Sequence, residues 1–226
     1  MLKSGRLPVQ YLVLLASALF AACHHALFQS PEVLEPGEHA VGVGGAGAVV
    51  SAPEVRPHEL DLFYRIGMDG NTDLGGRLLY SFNTTVDDRR ALTFLVDGKH
   101  CVRTGPLRIA GDLGLSWTPA AWWAIGIHPT VMFGTERLYA GARMSIYKSG
   151  SWYGWHEGLP SFTVGAKLGK RFYVMPEVTF GWVPWYSRGR YVLSGDPELV
   201  LGLAFQYQFG HLAYFDEGPG VPGLHP

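Results

Sequence analysis

The residue best suited to chemistry in this chain is His128, which sits in an alternating stretch with Pro129 and Thr130 directly after it. Hydrolysis by a serine nucleophile needs a Ser, a His within hydrogen-bond reach and a polar group that orients the His. On a β-strand the residue that shares a face with His128 lies two positions on, and that place holds Thr130 rather than Ser. No Gly-x-Ser-x-Gly elbow occurs elsewhere. Glu177 points to the same side from a later strand. We therefore expect His128 to be a hydrogen-bonding residue, assign no catalytic residue and expect no enzyme activity. Metal chemistry has as little support. Cys101 beside His100 reads as an incidental loop residue, because a structural zinc is held by about four ligands. His24 and His25 read as polarity in a tether, and no metal or cofactor is expected.

The other residue with chemical meaning is Cys23. Lys3 and Arg6 precede the apolar run YLVLLASALF, and Ala21-Ala22 precede Cys23, which is the layout of an export signal. Phe20-Ala21-Ala22-Cys23 resembles a bacterial lipobox, with Phe20 where Leu is usual. The resemblance implies that residues 1–22 are a signal peptide and that Cys23 is lipidated as the first mature residue. Residues 23–37, with two Pro and a Gly and no periodicity, read as a lipidated tether.

Something other than water is expected to cover part of this protein. Only 16% of its residues are charged, against about 25% in soluble proteins. Thirty Gly, many aromatics and a formal net charge of −1 argue against disorder, a coiled coil and a nucleic-acid partner.

From Gly37 onward the chain resolves into short runs of period two separated by turn residues. Strands are expected at 39–50, 58–68, 73–82, 88–96, 107–117, 122–133, 137–148, 160–169, 172–183 and 198–209. The last, ELVLGLAFQYQF, sets Leu199, Leu201, Leu203, Phe205, Tyr207 and Phe209 against small or polar neighbours. Throughout, one face is bulky and apolar. The other mixes Gly and Ser with Arg65, Arg77, Arg108, Arg137, Arg143 and Lys167, and with Glu59, Asp61, Asp73, Asp112, Glu177 and Glu198. A soluble barrel would turn the bulky face inward. A transmembrane barrel turns it to lipid and leaves the lumen to small and paired polar residues. The pattern favours the second: an all-β, closed up-and-down antiparallel transmembrane barrel over 38–209, of about ten strands with eight as the alternative, and a C-terminal tail over 210–226. With ten strands the short turns at 69–72, 134–136 and 169–171 share one side, and the long loops at 149–158 and 184–197 share the other, where Trp also gathers. The connection 97–106 is long on the short-turn side. Six charges of each sign on the lumen face imply a largely plugged interior, with a polar network that includes Arg65, Arg77, Arg108, Asp112, His128, Arg143, Lys167 and Glu177.

YRIGMDGNTDLGGRL, from Tyr64 to Leu78, resembles the signature G-x-T-D-x-x-D-L-G-x-R-L of small predicted outer-membrane barrels of bacteria, with an extra Gly70 in the turn. The strand ending at Phe209 resembles the signal recognised by barrel-assembly machinery, although Gly210–Pro226 follow it. The resemblance implies location in the bacterial outer membrane, with its lipids and the assembly machinery as partners. The expected role is structural or surface interaction, with an extracellular protein or host ligand met by external-loop residues Trp152, Trp155, Trp185, Arg188 and Arg190. Transport of small or apolar solutes is the alternative. A lipid-modifying enzyme centred on His128, resembling the lipid A deacylases and phospholipases of outer-membrane barrels, is the third.

Overall fold

The structure, a computed structural model, describes residues 27–50, 57–83, 90–119, 124–148, 159–181, 184–187, 190–193 and 198–210. Ten antiparallel strands form one closed sheet: β1 (His39–Val50), β2 (Pro57–Gly67), β3 (Thr72–Asn83), β4 (Arg90–Thr104), β5 (Leu107–Thr118), β6 (Ala124–Gly134), β7 (Leu138–Lys148), β8 (Leu159–Ala166), β9 (Phe172–Gly181) and β10 (Glu198–Phe209). Each strand pairs with the next, and β10 closes the ring on β1 through His39↔Phe209 to Ala48↔Val200. Leu168–Gly169 continue the β8 side and pair with β9. Pro184–Ser187 and Arg190–Leu193 pair as a separate two-stranded ribbon between β9 and β10.

The wall is apolar outside and polar inside. Leu62, Val131 and Val164 are 53%, 56% and 63% exposed on the outer face. Asp61, Arg65, Asp73, Arg77, Asp112, His128, Arg143, Lys167 and Glu177 are buried in the interior. A soluble barrel has the reverse arrangement. The alternation that places them is visible in β5, whose outward Leu113, Leu115 and Trp117 are exposed while Asp112 and Ser116 are buried. Trp117 stacks on Phe94 of β4, their centroids 5.7 Å apart.

Three expectations are corrected here. The connection expected at 97–106 does not exist: β4 runs on to Thr104, which pairs with Leu107, so only Gly105 and Pro106 turn the chain. Asp97-Gly98 looks like a turn in the sequence, yet Asp97, Lys99 and Cys101 point inward in step with Thr93 and Leu95. Cys101 is consequently a buried wall residue and not a loop residue. Arg137, expected on the lumen face, instead lies exposed in the turn between β6 and β7.

The turn from β2 to β3 holds itself together. Asp69 accepts from the backbone N–H of Asn71 at 3.0 Å and of Thr72 at 2.7 Å. These bonds favour the ionised form and hold the Asp69 carboxyl below the usual carboxylate range. Gly70 takes φ +77, which L side chains adopt only with strain.

The sidedness gives a direct test. Leu203→Arg puts a charge into hydrocarbon at the centre of β10, at about 2–4 kcal/mol near the midplane. An Arg at the buried Gln206, three residues before the end of β10, reaches the rim of a polar lumen. Folding titrations into lipid vesicles are expected to show the first variant destabilised by that amount and the second by less.

Candidate functional site in the barrel lumen

The lumen is held by charges that reach across neighbouring strands. Arg65 stands opposite Gly75 on β3, and no side chain blocks its guanidinium there. A Cβ at Gly75 would lie 2.6 Å from Arg65 Nη1 and 2.7 Å from Asp97 Oδ1. The guanidinium pairs with Asp73 and, at 2.6 Å, with Asp97. Lys99 Nζ lies 3.2 Å from the other Asp73 oxygen. Higher in the lumen Arg77 pairs with Asp61. All six side chains are almost inaccessible to water. Burying an ion costs several kcal/mol unless it is paired and hydrogen-bonded, so these partners are conditions for the charges being there.

The largest departure from expectation concerns the presumed tether. Residues 27–34 lie inside the barrel, with Leu27, Phe28, Gln29, Ser30, Val33 and Leu34 all buried. The lumen charges hold this segment by its backbone. Lys99 Nζ donates to the carbonyls of Ser30 at 3.0 Å and Glu32 at 2.6 Å, and Arg77 Nη1 donates to Leu27 O at 3.1 Å. Gln29 donates to Asp97 at 3.2 Å, and the Glu32 carboxylate meets Lys167 at 3.0 Å and Arg108 at 3.5 Å. Glycines open the wall to it. A Cβ at Gly44 would fall 2.5 Å from the Phe28 ring, and one at Gly67 would fall 2.1 Å from Glu35 O. The chain then turns at Gly37, which bonds Gly67 O at 3.1 Å, and enters β1. The segment thus runs from the level of Arg77, halfway along β3, down to the rim at the short turns. It is a plug, and Phe28, with φ +39, marks a sharp bend in it.

His128 lies elsewhere in the lumen, its Nε2 2.7 Å from Ser116 Oγ and its Nδ1 3.0 Å from Ser145 Oγ. Tyr147 stands edge-on to the ring at 5.3 Å. Ser116 faces Gly126 and His128 faces Gly114 across the β5–β6 ladder, so two glycines leave the niche that the His and Ser fill. A Cβ at Gly126 would lie 2.4 Å from Ser116 Oγ. The partner is thus Ser116, on the preceding strand, where a search along the His128 strand does not look. Thr130 instead accepts from Arg143 Nε at 3.1 Å. Tyr139 donates to Glu177 at 2.5 Å, and Glu177 is not part of the His128 cluster.

Of the network expected from sequence, Arg65, Arg77, Asp112, His128, Arg143, Lys167 and Glu177 line the interior, and Arg108 sits at the rim between Glu32 and Glu136. Asp97, Lys99 and the plug were missed. Inward alternation at 97, 99 and 101, and four apolar residues in 27–34, were the available signals. Cys23, Trp152, Trp155 and Arg188 lie outside the described residues. Trp185 and Arg190 belong to the two strands of the ribbon, opposite Val192 and Ser187.

No protein-family model matches the chain, and no curated protein matches it. Among solved structures it is similar to OmpT of Vibrio cholerae, expressed in the outer membrane, at 13% identity over 83% of this chain and 72% of that one, TM-score 0.36. It is also similar to the translocator domain of the autotransporter NalP from Neisseria meningitidis, at 11% identity over 89% and 94%, TM-score 0.39. A third is Ail, the attachment invasion locus protein of Yersinia pestis, at 10% identity over 77% and 99%, TM-score 0.29. The likeness is one of fold, that of bacterial outer-membrane β-barrels.

Removing Arg65 leaves two buried carboxylates without their shared cation. Arg65→Met is expected to destabilise the barrel by about 3–5 kcal/mol, measured by urea unfolding in detergent, and Asp97→Asn in the same background, which neutralises the carboxylate left without its cation, to recover part of that loss.

Proposed function

We propose that this chain is an outer-membrane β-barrel lipoprotein with a structural or surface-interaction role, and that its own N-terminal segment keeps the lumen closed. The observation that carries this reading is the plug: residues 27–34 occupy the lumen, and Lys99, Arg77 and Lys167 grip them. Transport would need a continuous polar path, whereas here oppositely charged side chains and a peptide fill the interior. The enzyme reading has the Ser116–His128–Ser145 contacts in its favour and the burial of all three side chains against it, since a buried Ser116 hydroxyl is closed off from a substrate. The barrel's partners are then outer-membrane lipids on its wall, the assembly machinery during insertion, and an extracellular protein or host ligand at the external loops. The ribbon of 184–187 and 190–193 supports that last role, since backbone pairing pre-organises a loop and lowers the ordering cost of binding.

The lipid anchor belongs to the same proposal: residues 1–22 leave as a signal peptide and Cys23 is acylated. Four residues of chain span at most about 14 Å, so a seated plug holds Cys23 within that distance of Leu27.

Planar-bilayer recordings test the plug. The wild-type protein is expected to give no single-channel steps, and the variant lacking residues 27–36 to give stable ones; equal conductance of the two would favour the transport reading. For the surface role, Trp155→Ala, Arg188→Ala and Arg190→Ala together are expected to leave heat-modifiable barrel assembly intact and to lower adhesion of expressing cells to host matrix several-fold. Unchanged adhesion removes the loops from the function.

A further inference from the structure

Two prolines interrupt the wall of this barrel. Between β6 and β7 the pairing passes from Ile127↔Ile146 directly to Thr130↔Arg143, so the rungs at 128/145 and 129/144 are missing. The β5–β6 ladder is unbroken through Leu113↔Pro129. Proline has no N–H, and an intact ladder on the β5 side means that its missing donor faces β7. The same happens at Pro176. The β8–β9 pairing passes from Gly165↔Glu177 to Leu168↔Val174, while Pro176 keeps its place opposite Leu203 on β10. Each gap lies beneath a groove in the lipid-facing wall, of about 780 Å³ over Pro129 and about 520 Å³ over Pro176.

We propose that the larger groove is a binding site for a phospholipid of the periplasmic leaflet, with an acyl chain lying in the groove and the headgroup at its polar end. The floor is made of small outward residues, Gly111, Pro129 and Ala142, and the walls of Leu113, Val131 and Phe162, each more than half exposed. Its volume is in the range of ligand pockets, and its lining is almost wholly apolar away from one end. That end is formed by His100 and Thr72, joined at 3.0 Å between Nδ1 and Oγ1. Thr72 opens β3 next to a short turn, and on the proposed outer-membrane reading, in which short turns face the periplasm, this pair lies at the periplasmic interface. From there the groove climbs across β4 to β8, because the strands of a barrel are tilted. A polar terminus at headgroup depth leading into an apolar trough inside the bilayer has the shape of an amphiphile. A lipid of the opposite leaflet would meet the groove without that terminus.

Gly111 and Gly76 both face outward, and a Cβ at either meets nothing within 4 Å, so both accept a larger side chain. Gly111 lies in the groove and Gly76 outside it. The refolded full chain is to be mixed with dioleoylphosphatidylglycerol in detergent and examined by native mass spectrometry. Wild type and Gly76→Leu are expected to retain one lipid per barrel, and the Gly111→Leu, Ala142→Leu variant to lose at least ten-fold in occupancy. Absence of a retained lipid on the wild type, equal retention by the filled variant, or loss in Gly76→Leu overturns the proposal. If the filled variant does not assemble, a phosphatidylglycerol bearing a diazirine in its acyl chain is to be photolysed with the wild-type barrel. Adducts concentrated on 111–113, 129–131 and 142–144 support the site, and adducts spread evenly around the wall overturn it.

Discussion

A strand in hydrocarbon has no water to satisfy its peptide groups, so its sheet must close on itself. Here closure is the pairing of β1 with β10, between residues 170 positions apart at His39↔Phe209. Everything inside the molecule follows from it. Ten strands enclose a lumen that is shielded from lipid and somewhat wider than the eight-strand barrels that side chains alone fill. What enters that space must be polar enough to suit the inward face and bulky enough to occupy it.

Charged side chains meet the first requirement and a peptide meets the second. Arg65, Asp73, Asp97 and Lys99 form a chain of alternating sign from β2 to β4, in which Arg65 and Asp73 each meet two opposite charges. The remaining donor capacity of Lys99 and Arg77 goes to the carbonyls of the plug. An ammonium has three N–H donors and a guanidinium five, so one cation serves a carboxylate and a backbone together. The plug supplies acceptors where the wall has too few, and its Leu27 and Phe28 fill volume against glycine positions of β1 and β7. Wall and plug are thus mutually dependent.

The strands and their faces were legible because lipid and lumen impose opposite demands on alternate residues, and Leu199 to Phe209 shows that contrast without interruption. Individual charges were legible for the same reason: Arg65, Asp73 and Arg77 keep step with their strands. Asp97 and Lys99 were not, since Asp-Gly is also the commonest currency of tight turns, and only the partner strand distinguishes the two uses. The plug left less trace. A segment inside a lumen has no fixed periodicity, because it is contacted from all sides, so LFQSPEVL looks like any linker with four apolar residues. The Ser116–His128 contact was hidden by distance along the chain, as it joins adjacent strands through a register that the turn sets.

The plug is joined to β1 by four residues, Glu35 to Glu38, and this short connection changes what its contacts need to achieve. A ligand tethered by a short link is present at an effective concentration on the order of millimolar. Contacts too weak to hold a free peptide therefore suffice to keep this one seated, which explains why backbone carbonyls and a few charges are enough. Any soluble peptide competing for the same cations is disadvantaged unless it approaches that concentration. Cutting the chain near Gly37 would turn a permanent part of the barrel into an ordinary, dilutable ligand.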